Sequence, residues 1–242
     1  MGPASCPVAE LLLVRHAQAT PFDPDSDRLS PLGQVQARRT GRMLAAEGMS
    51  PTQVWHGPLN RQRRTAELAA QAAGDGWPFL TEDPRLAEYD GEGLMRVLAP
   101  QLAAQVPRVA AQLGSLGRPE SEPAERQRAF QGVLETVAQH WQAGTLTHPT
   151  VEPWPAFQSR VAAALHDLVK LPSGTRAVVF TSGGVIALLV AQVLSAPPAS
   201  MLALDWRVRN ASVTRLSFGR GRVSLDSFNE VHHLPPQARS WR

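Results

Sequence analysis

The fold is decided by the stretch LLLVRHAQ at residues 11–18, where four consecutive apolar residues run directly into an arginine and a histidine. A short, uninterrupted apolar run is typical of a strand buried on both faces, as in a parallel sheet. A second run of this kind, Arg176–Thr181, leads into Ser182-Gly183-Gly184. Because such strands alternate with helical patterns, we predict an α/β fold: a three-layer sandwich with a mostly parallel central sheet, helices on both faces and a helical insertion.

Helix and turn signals surround these two strands. Ser30 and Pro31 predict a helix start, with serine as the N-cap and proline at the first helical position, and this helix is expected to end near Gly48. The other predicted elements are strands over Thr52–His56 and Pro78–Thr81, helices over Asn60–Ala73, Ala156–Leu171 and Val185–Leu194, and a hairpin of Ser212–Phe218 and Arg222–Phe228.

Residues 92–153 differ in character from the rest of the chain, because prolines recur there and runs of β-branched residues are few. Two helical patterns fit this region, Leu94–Leu113 and Pro123–Ala143, with a Gly/Pro/Ser-rich break at residues 114–123 between them. We interpret residues 92–153 as a helical insertion, or cap, within a single domain of residues 1–242.

Composition excludes several classes of protein. Hydrophobic residues make up 43% of the 242 residues and charged residues 19%, which suits a folded core and not a disordered or fibrous chain. The formal net charge of +3 is a weak field that predicts neither a nucleic-acid partner nor a membrane partner. The single cysteine, Cys6, fits a reducing compartment, and no secretory signal or membrane span is evident, so we predict a cytoplasmic protein.

Polar side chains follow the predicted strands, at the points where the strands end. In an open parallel sheet, ligands bind beyond the carboxyl ends of the strands. The residues that follow the strands at this edge supply an imidazole, two guanidinium groups, a carboxyl group and a hydroxyl beside glycines. They are Arg15, His16, Arg61, Glu88, Ser182 and Gly183. Each is ordinary alone, and it is their convergence at one edge that indicates a functional site.

These residues also carry a family resemblance. The stretch LLVRHAQ at residues 12–18 resembles the Arg-His-Gly motif of the histidine phosphatase superfamily, also called the phosphoglycerate mutase-like family. Three supporting segments follow in the family's order: LSPLGQVQA at 29–37 resembles its first-helix motif, GPLNRQRRTA at 57–66 the segment with its second phosphate arginine, and RLAE at 85–88 the segment with its proton donor. The resemblance covers residues 10–91 and 176–231.

The resemblance implies a metal-independent phosphatase that hydrolyses a small-molecule phosphomonoester without a cofactor. His16 would attack phosphorus and become a phosphohistidine, and Glu88 would protonate the leaving alcohol. The side chains and backbone implied for phosphate binding are those of Arg15, Arg61, Ser182 and Gly183, and those considered for substrate contacts are Gln18 and Thr20.

Two positions depart from the family pattern. Ala17 stands for the glycine after Arg-His, which is a small change, and Ser182 stands where the family usually has a second histidine before Gly-Gly. Serine can donate one hydrogen bond but cannot carry a positive charge. The loss of one charge-assisted contact is worth about 1.5–3 kcal/mol, which predicts a weaker phosphatase or one with an altered substrate preference.

Two alternatives stay open from the sequence. A phosphoglycerate-type mutase must hold a doubly phosphorylated intermediate, which requires more positively charged side chains around the pocket. Lys170 is the only lysine of the chain, and it lies outside every motif. A catalytically impaired phospholigand-binding or interaction protein would instead use the insertion as its partner surface. For any substrate, we expect selectivity to be set by side chains from the insertion and from the loop Phe22–Arg28.

Overall fold

The structure, a computed structural model, describes residues 8–20, 26–116 and 122–241. Cys6, most of the loop Phe22–Arg28 and half of the Gly/Pro/Ser-rich break at 114–123 lie outside these described residues. The chain divides into two compact units, a first made of Met1–Glu88 with Arg160–Arg242 and a second made of Tyr89–Ser159. The second unit contains the residues for which we predict an insertion.

The first unit is built on a six-stranded sheet in the described residues. Its strands are β1 (Ala9–Arg15), β2 (Gln53–His56), β3 (Leu80–Glu82), β4 (Arg176–Thr181), β5 (Val213–Gly219) and β6 (Arg222–Glu230). They lie in the order β3-β2-β4-β1-β5-β6. Strands β1 to β4 pair in parallel, and β5 runs antiparallel to both β1 and β6. The predicted mostly parallel sheet is therefore confirmed.

The helices are α1 (Pro31–Ala46), α2 (Asn60–Ala73), α3 (Gly91–Gly93), α4 (Ala99–Ala103), α5 (Pro107–Leu116), α6 (Pro123–Gln142), α7 (Trp154–Leu168), α8 (Gly183–Val193) and α9 (Ala199–Asp205). A π-helical turn, Leu94–Leu98, joins α3 to α4, and short 3₁₀ helices cover Pro84–Leu86 and Pro236–Ala238. In the described part of the chain no helix is long and apolar enough to cross a membrane.

Both faces of the sheet are buried, as the continuous apolar run in β1 predicts. Leu12 and Val14 of β1 pack in one cluster with Leu44 of α1 and Ala66 of α2. Leu11, Leu13 and the other alternating residues of β1 point to the opposite face and are equally buried. Helix α8 contacts the sheet, and its residues 183–191 are apolar and buried on every side, as expected for a helix enclosed by the core.

Helix α1 begins where its sequence predicts. The Ser30 hydroxyl accepts a hydrogen bond from the Gly33 N–H at 3.0 Å, and Pro31 occupies the first helical position. A Cβ atom on Gly33 would lie 2.1 Å from the carbonyl oxygen of Gln18. Glycine at this position therefore lets the start of α1 approach the loop that follows β1.

The prediction of one helix over Leu94–Leu113 is wrong. The structure has the π-helical turn, then α4, then a break before α5 begins at Pro107. Proline has no N–H to donate and disfavours helical dihedrals in the residue before it, here Val106, so the helix is interrupted at this point. The short α9 is not predicted from the sequence at all, and α8 begins two residues earlier than Val185.

The second unit has its own aromatic core. The rings of Tyr89, Trp141, Trp154 and Phe157 contact one another with centroid distances of 5.3 to 5.9 Å. The Trp141 Nε1–H donates to the carbonyl of Glu152 at 2.7 Å, which satisfies the one polar atom of that buried ring. All four rings thus serve the packing of the second unit.

We predict that acid destabilises the protein partly through His233. Burial, followed by the neighbouring His232, lowers the pKa of His233 from 6.5 to about 4. As the pH falls, the unfolded chain therefore protonates His233 before the folded protein does. The contribution of His233 to the free energy of unfolding is fully present above pH 6.5 and is lost between pH 6.5 and 4. The free energy of unfolding, measured by urea denaturation, should fall by at most about 3 kcal/mol from this group.

Two variants distinguish the contribution of His233 from the contributions of other acid-sensitive groups. His233→Gln can keep a donor near the Thr40 hydroxyl, which lies 3.1 Å from Nε2 of His233. The free energy of unfolding of this variant should fall less steeply with decreasing pH than that of the wild type. His166→Gln changes a histidine that is 63% exposed and should follow the wild-type curve. Parallel curves for His233→Gln and the wild type would contradict the prediction.

Candidate active site

The carboxyl ends of the parallel strands meet at one edge of the sheet, as the sequence predicts. After β1 ends, the His16 N–H donates to the carbonyl of Thr181, the last residue of β4, at 2.8 Å. After β2 ends, the Gly57 N–H donates to the carbonyl of Phe180 at 3.0 Å. The segment after β3 is tied in the same way to the end of β2. The segments that hold the predicted site residues therefore start side by side, all within the first unit.

His16 is held in one tautomer by its own loop. The side chain is buried, and its Nδ1 lies 2.9 Å from the carbonyl oxygen of Ala17. A carbonyl oxygen can only accept, so Nδ1 carries the proton and Nε2 of the neutral ring keeps its lone pair. This is the arrangement that a nucleophilic Nε2 requires.

A network of buried amides supports the His16 loop. The Gln36 side chain accepts from the Gln18 N–H at 2.8 Å and donates to the Ser240 hydroxyl at 2.9 Å. Ser240 donates in turn to the Asn210 side chain, whose amide lies 3.4 Å from the carbonyl oxygen of His16. The loop is thus fixed from α1 and from the C-terminal segment, both distant in sequence.

Arg15 lies beneath the start of α8. It is 4% exposed, and its guanidinium donates to the carbonyl of Val208. A Cβ atom on Gly183 would lie 3.6 Å from Nε of Arg15 and 2.5 Å from Oδ1 of Asp205. Glycine at position 183 therefore leaves room for the guanidinium and for the buried Asp205 carboxylate. The sequence gives no signal for Asp205, because it lies at the end of the unpredicted α9.

Arg61 lies in the first turn of α2 and forms an ion pair. Its Nη1 is 2.7 Å from Oδ1 of Asp27, and its side chain is 21% exposed. The Asp27 carboxylate also accepts from the N–H of Asn60 at 2.6 Å, so it caps the start of α2. The sequence does not predict Asp27 as a site residue, because nothing in the local sequence links it to Arg61.

Thr65 connects this turn of α2 to the His16 loop. The Thr65 hydroxyl donates to the carbonyl of Arg61 at 2.6 Å and accepts from the N–H of Ala17 at 3.0 Å. Thr65 is fully buried. Arg61 is therefore placed beside the loop that carries His16.

Glu88 contacts the beginning of α8. Its Oε2 accepts a hydrogen bond from the Gly184 N–H at 3.1 Å, and the side chain is half-buried. The N-terminus of a helix favours negative charge, because its free N–H groups and its dipole point toward the anion. The sequence suggests that these N–H groups serve the phosphate, whereas in the structure one of them holds the Glu88 carboxylate.

Ser182 lies below the surface of the site. It is fully buried, and its hydroxyl accepts from Nε2 of Gln62 at 2.8 Å. The same Gln62 nitrogen donates to the carbonyl of Leu86 at 3.0 Å, and Thr181 donates to that carbonyl at 2.7 Å. A phosphate would reach the Ser182 hydroxyl only after local movement, and its role as a phosphate ligand stays a prediction.

We predict that Gln62→Leu lowers stability. The buried Gln62 amide serves the Ser182 hydroxyl, the carbonyl of Leu86 and, through Oε1, the N–H of Leu59 at 3.1 Å. An apolar side chain removes these partners, and the free energy of unfolding should fall by about 3 kcal/mol in chemical denaturation. Gln71→Leu, on an exposed position of the same helix, should change it by less than about 0.5 kcal/mol. Equal losses in the two variants would contradict this reading.

The two residues considered for substrate contacts are engaged within their own loop. The Gln18 side-chain oxygen accepts from the hydroxyl of Ser30, the N-cap of α1, at 2.7 Å. The Thr20 hydroxyl donates to the carbonyl of Arg28 at 3.2 Å. A substrate contact by either remains a prediction. Among the residues that the structure describes, no cluster of three or more His, Cys, Asp or Glu side chains is placed to hold a metal ion.

Sequence comparison places the chain among known proteins. The family model described as histidine phosphatase superfamily (branch 1) matches residues 11–147 and 115–231. A protein of Salmonella choleraesuis (strain SC-B67) named "Probable phosphoglycerate mutase GpmB" is 30% identical over 240 residues, covering 95% of this chain and 96% of that protein.

Solved structures share the fold at low sequence identity. Phosphoserine phosphatase from Entamoeba histolytica aligns with 94% of this chain and 100% of its own, at 19% identity and a TM-score of 0.62. A mycobacterial glucosyl-3-phosphoglycerate phosphatase aligns with 93% and 100%, at 23% identity and 0.61. Phosphoglycerate mutase from Bacillus anthracis aligns with 94% and 96%, at 17% identity and 0.63. The α/β architecture with its mostly parallel sheet is common to them.

Proposed function

The chain belongs to the histidine phosphatase superfamily (branch 1), and on that premise we propose that it is a phosphatase acting through a phosphohistidine on His16. The observation that carries the proposal is the His16 tautomer combined with the position of His16 at the carboxyl end of β1. Donation from Nδ1 to the carbonyl of Ala17 leaves the lone pair of the neutral ring on Nε2, at the edge of the sheet where Arg15, Arg61 and Glu88 also lie. The substrate would be a small-molecule phosphomonoester.

The reaction would take two steps. In the first, Nε2 of His16 attacks phosphorus in line, the bond from phosphorus to the ester oxygen breaks, and the Glu88 carboxyl gives its proton to the leaving alcohol. In the second, the Glu88 carboxylate takes a proton from water, the water oxygen attacks phosphorus, and the bond to Nε2 breaks. Inorganic phosphate leaves, and both side chains return to their first state. Neither step calls on a metal ion or a cofactor.

The proposal assigns the positive charge of the site to Arg15 and Arg61. Phosphoryl transfer depends mainly on positioning and charge, and guanidinium groups stay charged and can bind two phosphate oxygens at once. Ser182, in the position where the family usually has a second histidine, would add a hydrogen bond at most. We therefore expect the activity to depend on these two arginines more strongly than in a relative that has that histidine.

A phosphoglycerate mutase is the second candidate, because the Salmonella relative is named for that reaction. A mutase would return the phosphoryl group from His16 to another hydroxyl of the substrate instead of to water. It would also have to bind the second anionic group of its substrate and intermediate. The sequence offers no lysine for this near any motif, which is why we favour hydrolysis.

Turnover of phosphomonoesters distinguishes the candidates. The purified protein is incubated with p-nitrophenyl phosphate, phosphoserine and the two phosphoglycerates, and both phosphate release and substrate isomerisation are followed. We expect phosphate and alcohol in equal amounts. Interconversion of 2- and 3-phosphoglycerate without phosphate release would favour the mutase instead. Radiolabelled phosphate trapped on His16 would rule against the third candidate, a phospholigand-binding protein without catalysis.

A further inference from the structure

We propose that Arg160 is a positioning residue that holds Glu88 in place for proton transfer, an inference that rests on the function proposed above. The Arg160 guanidinium faces backbone carbonyl oxygens of the segment that ends at Glu88. Nη1 donates to the carbonyls of Arg85 at 2.8 Å and Ala87 at 2.7 Å. Nη2 lies 3.2 Å from the carbonyl of Glu88 itself. One side chain of α7 thus binds three of four consecutive carbonyls.

The fourth carbonyl is held by different partners. The Leu86 oxygen accepts from the Thr181 hydroxyl and from the Gln62 amide, so residues 85–88 are bound by β4 and α2 as well as by α7. A guanidinium suits the Arg160 contacts because its five N–H donors lie in one rigid plane. An ammonium group offers donors from a single point and would match fewer of these oxygens.

The consequence concerns the carboxyl group. Glu88 is fixed twice, since Arg160 holds its backbone and the Gly184 N–H holds its Oε2. A general acid must lie within hydrogen-bond reach of the leaving oxygen, and small displacements are costly. If the backbone contact is lost, the carboxyl group keeps its chemistry but not its position.

The place of Arg160 in the chain explains why such a contact is needed. The first unit is interrupted after Glu88, and the chain returns to it at Arg160. Glu88 is therefore the last residue of its segment in this unit. The bond between Arg160 and the carbonyl of Glu88 joins the two ends of the interruption.

Dependence on the leaving group tests the proposal. Nitrophenolate leaves without being protonated, whereas an alkoxide needs the proton of Glu88. Arg160→Ala should therefore lower kcat/KM by about 10- to 100-fold for an alkyl phosphate such as phosphoserine, and by less than about 3-fold for p-nitrophenyl phosphate. Glu88→Gln should show the same selectivity with a larger loss, about 10²- to 10⁴-fold for the alkyl phosphate.

A double variant separates positioning from a direct role. If Arg160 acts through Glu88, then Arg160→Ala should cost little in a protein that already carries Glu88→Gln. A full loss in that background, or an equal loss on both substrates, would overturn the inference and leave the proposed function standing. If Glu88→Gln itself shows no dependence on the leaving group, both the inference and the role of Glu88 in the proposed function fail.

Two further variants control for folding. Arg160→Lys keeps the charge and should show the same dependence on the leaving group, with a smaller loss of kcat/KM for the alkyl phosphate, about 3- to 10-fold. This variant serves as the test if Arg160→Ala does not fold. Arg176→Ala removes another guanidinium that binds a backbone carbonyl, that of Gly48 at 2.8 Å, at the start of β4. It should change both substrates equally or not at all. Selectivity in Arg176→Ala equal to that of Arg160→Ala would overturn the inference.

Discussion

Replacement of His16 by alanine is expected to lower phosphatase turnover by at least about 10⁴-fold, because no other group in the proposed mechanism accepts the phosphoryl group. The measurement is the rate of phosphate release from p-nitrophenyl phosphate. A rapid alkaline quench with radiolabelled substrate should in addition trap label on the wild-type protein and none on His16→Ala.

His56 provides a matched control for this variant. It ends β2 as His16 follows β1, it is similarly buried, and its Nδ1 lies 2.7 Å from the carbonyl of the next residue, Gly57. His56→Gln should therefore disturb packing about as much as a change at His16 but keep turnover within about 3-fold of the wild type. Equal losses in the two variants would show that His16 acts through folding, and retained label on His16→Ala would exclude it as the nucleophile.

The sequence predicts most of the sheet because the strand signals are local. The continuous apolar run of Arg176–Thr181 and the helical pattern of Asn60–Ala73 coincide with β4 and α2 as they stand in the structure. Where a pattern is short or interrupted, prediction fails: α9 has seven residues, and the π-helical turn Leu94–Leu98 has the same apolar spacing as an ordinary helix.

The site divides in the same way. The residues that follow strand ends, among them His16 and Glu88, could be predicted because parallel strands bring those ends together. The residues that support them could not, since their partners are set by tertiary packing across long separations. Gln62 bonds to Ser182, which lies 120 residues away in the sequence, and Arg160 bonds to Glu88, which lies 72 residues away. No local pattern encodes such pairs.

Ser182 shows what this limit means for function. From the sequence it is an isolated departure, because the family resemblance implies a histidine at this position. In the structure its hydroxyl accepts from Gln62, and both side chains are fully buried. The position is therefore part of a buried hydrogen-bonded pair that also holds the carbonyl of Leu86, two residues before Glu88. A change at Ser182 acts on the support of Glu88 as well as on any phosphate contact.

Arg61→Ala is expected to lower kcat/KM for phosphomonoesters by about 10²- to 10³-fold, the usual cost of losing one preorganised donor to a reacting anion. The structure adds a second reason for a large effect. The Asp27 carboxylate, 2.7 Å from Arg61, would lose its counter-ion and remain beside the incoming phosphate. The double variant Arg61→Ala/Asp27→Asn should therefore be several-fold more active than Arg61→Ala, because asparagine removes the charge and keeps an acceptor for the N–H groups of α2.

Arg64→Ala is the matched control for Arg61→Ala, because Arg64 lies one turn further along α2, is 49% exposed and pairs with Glu67 at 2.9 Å. An exposed pair of this kind contributes little, so activity should stay within about 2-fold of the wild type. Equal losses in Arg61→Ala and Arg64→Ala would mean that α2 contributes general positive charge and no specific phosphate contact. A double variant less active than Arg61→Ala would show that Asp27 helps bind the substrate instead of only holding Arg61. The ion pair with Asp27 thus allows the proposed role of Arg61 in phosphate binding to be tested through a second residue. A loss of activity in Arg61→Ala alone would not test that role as specifically.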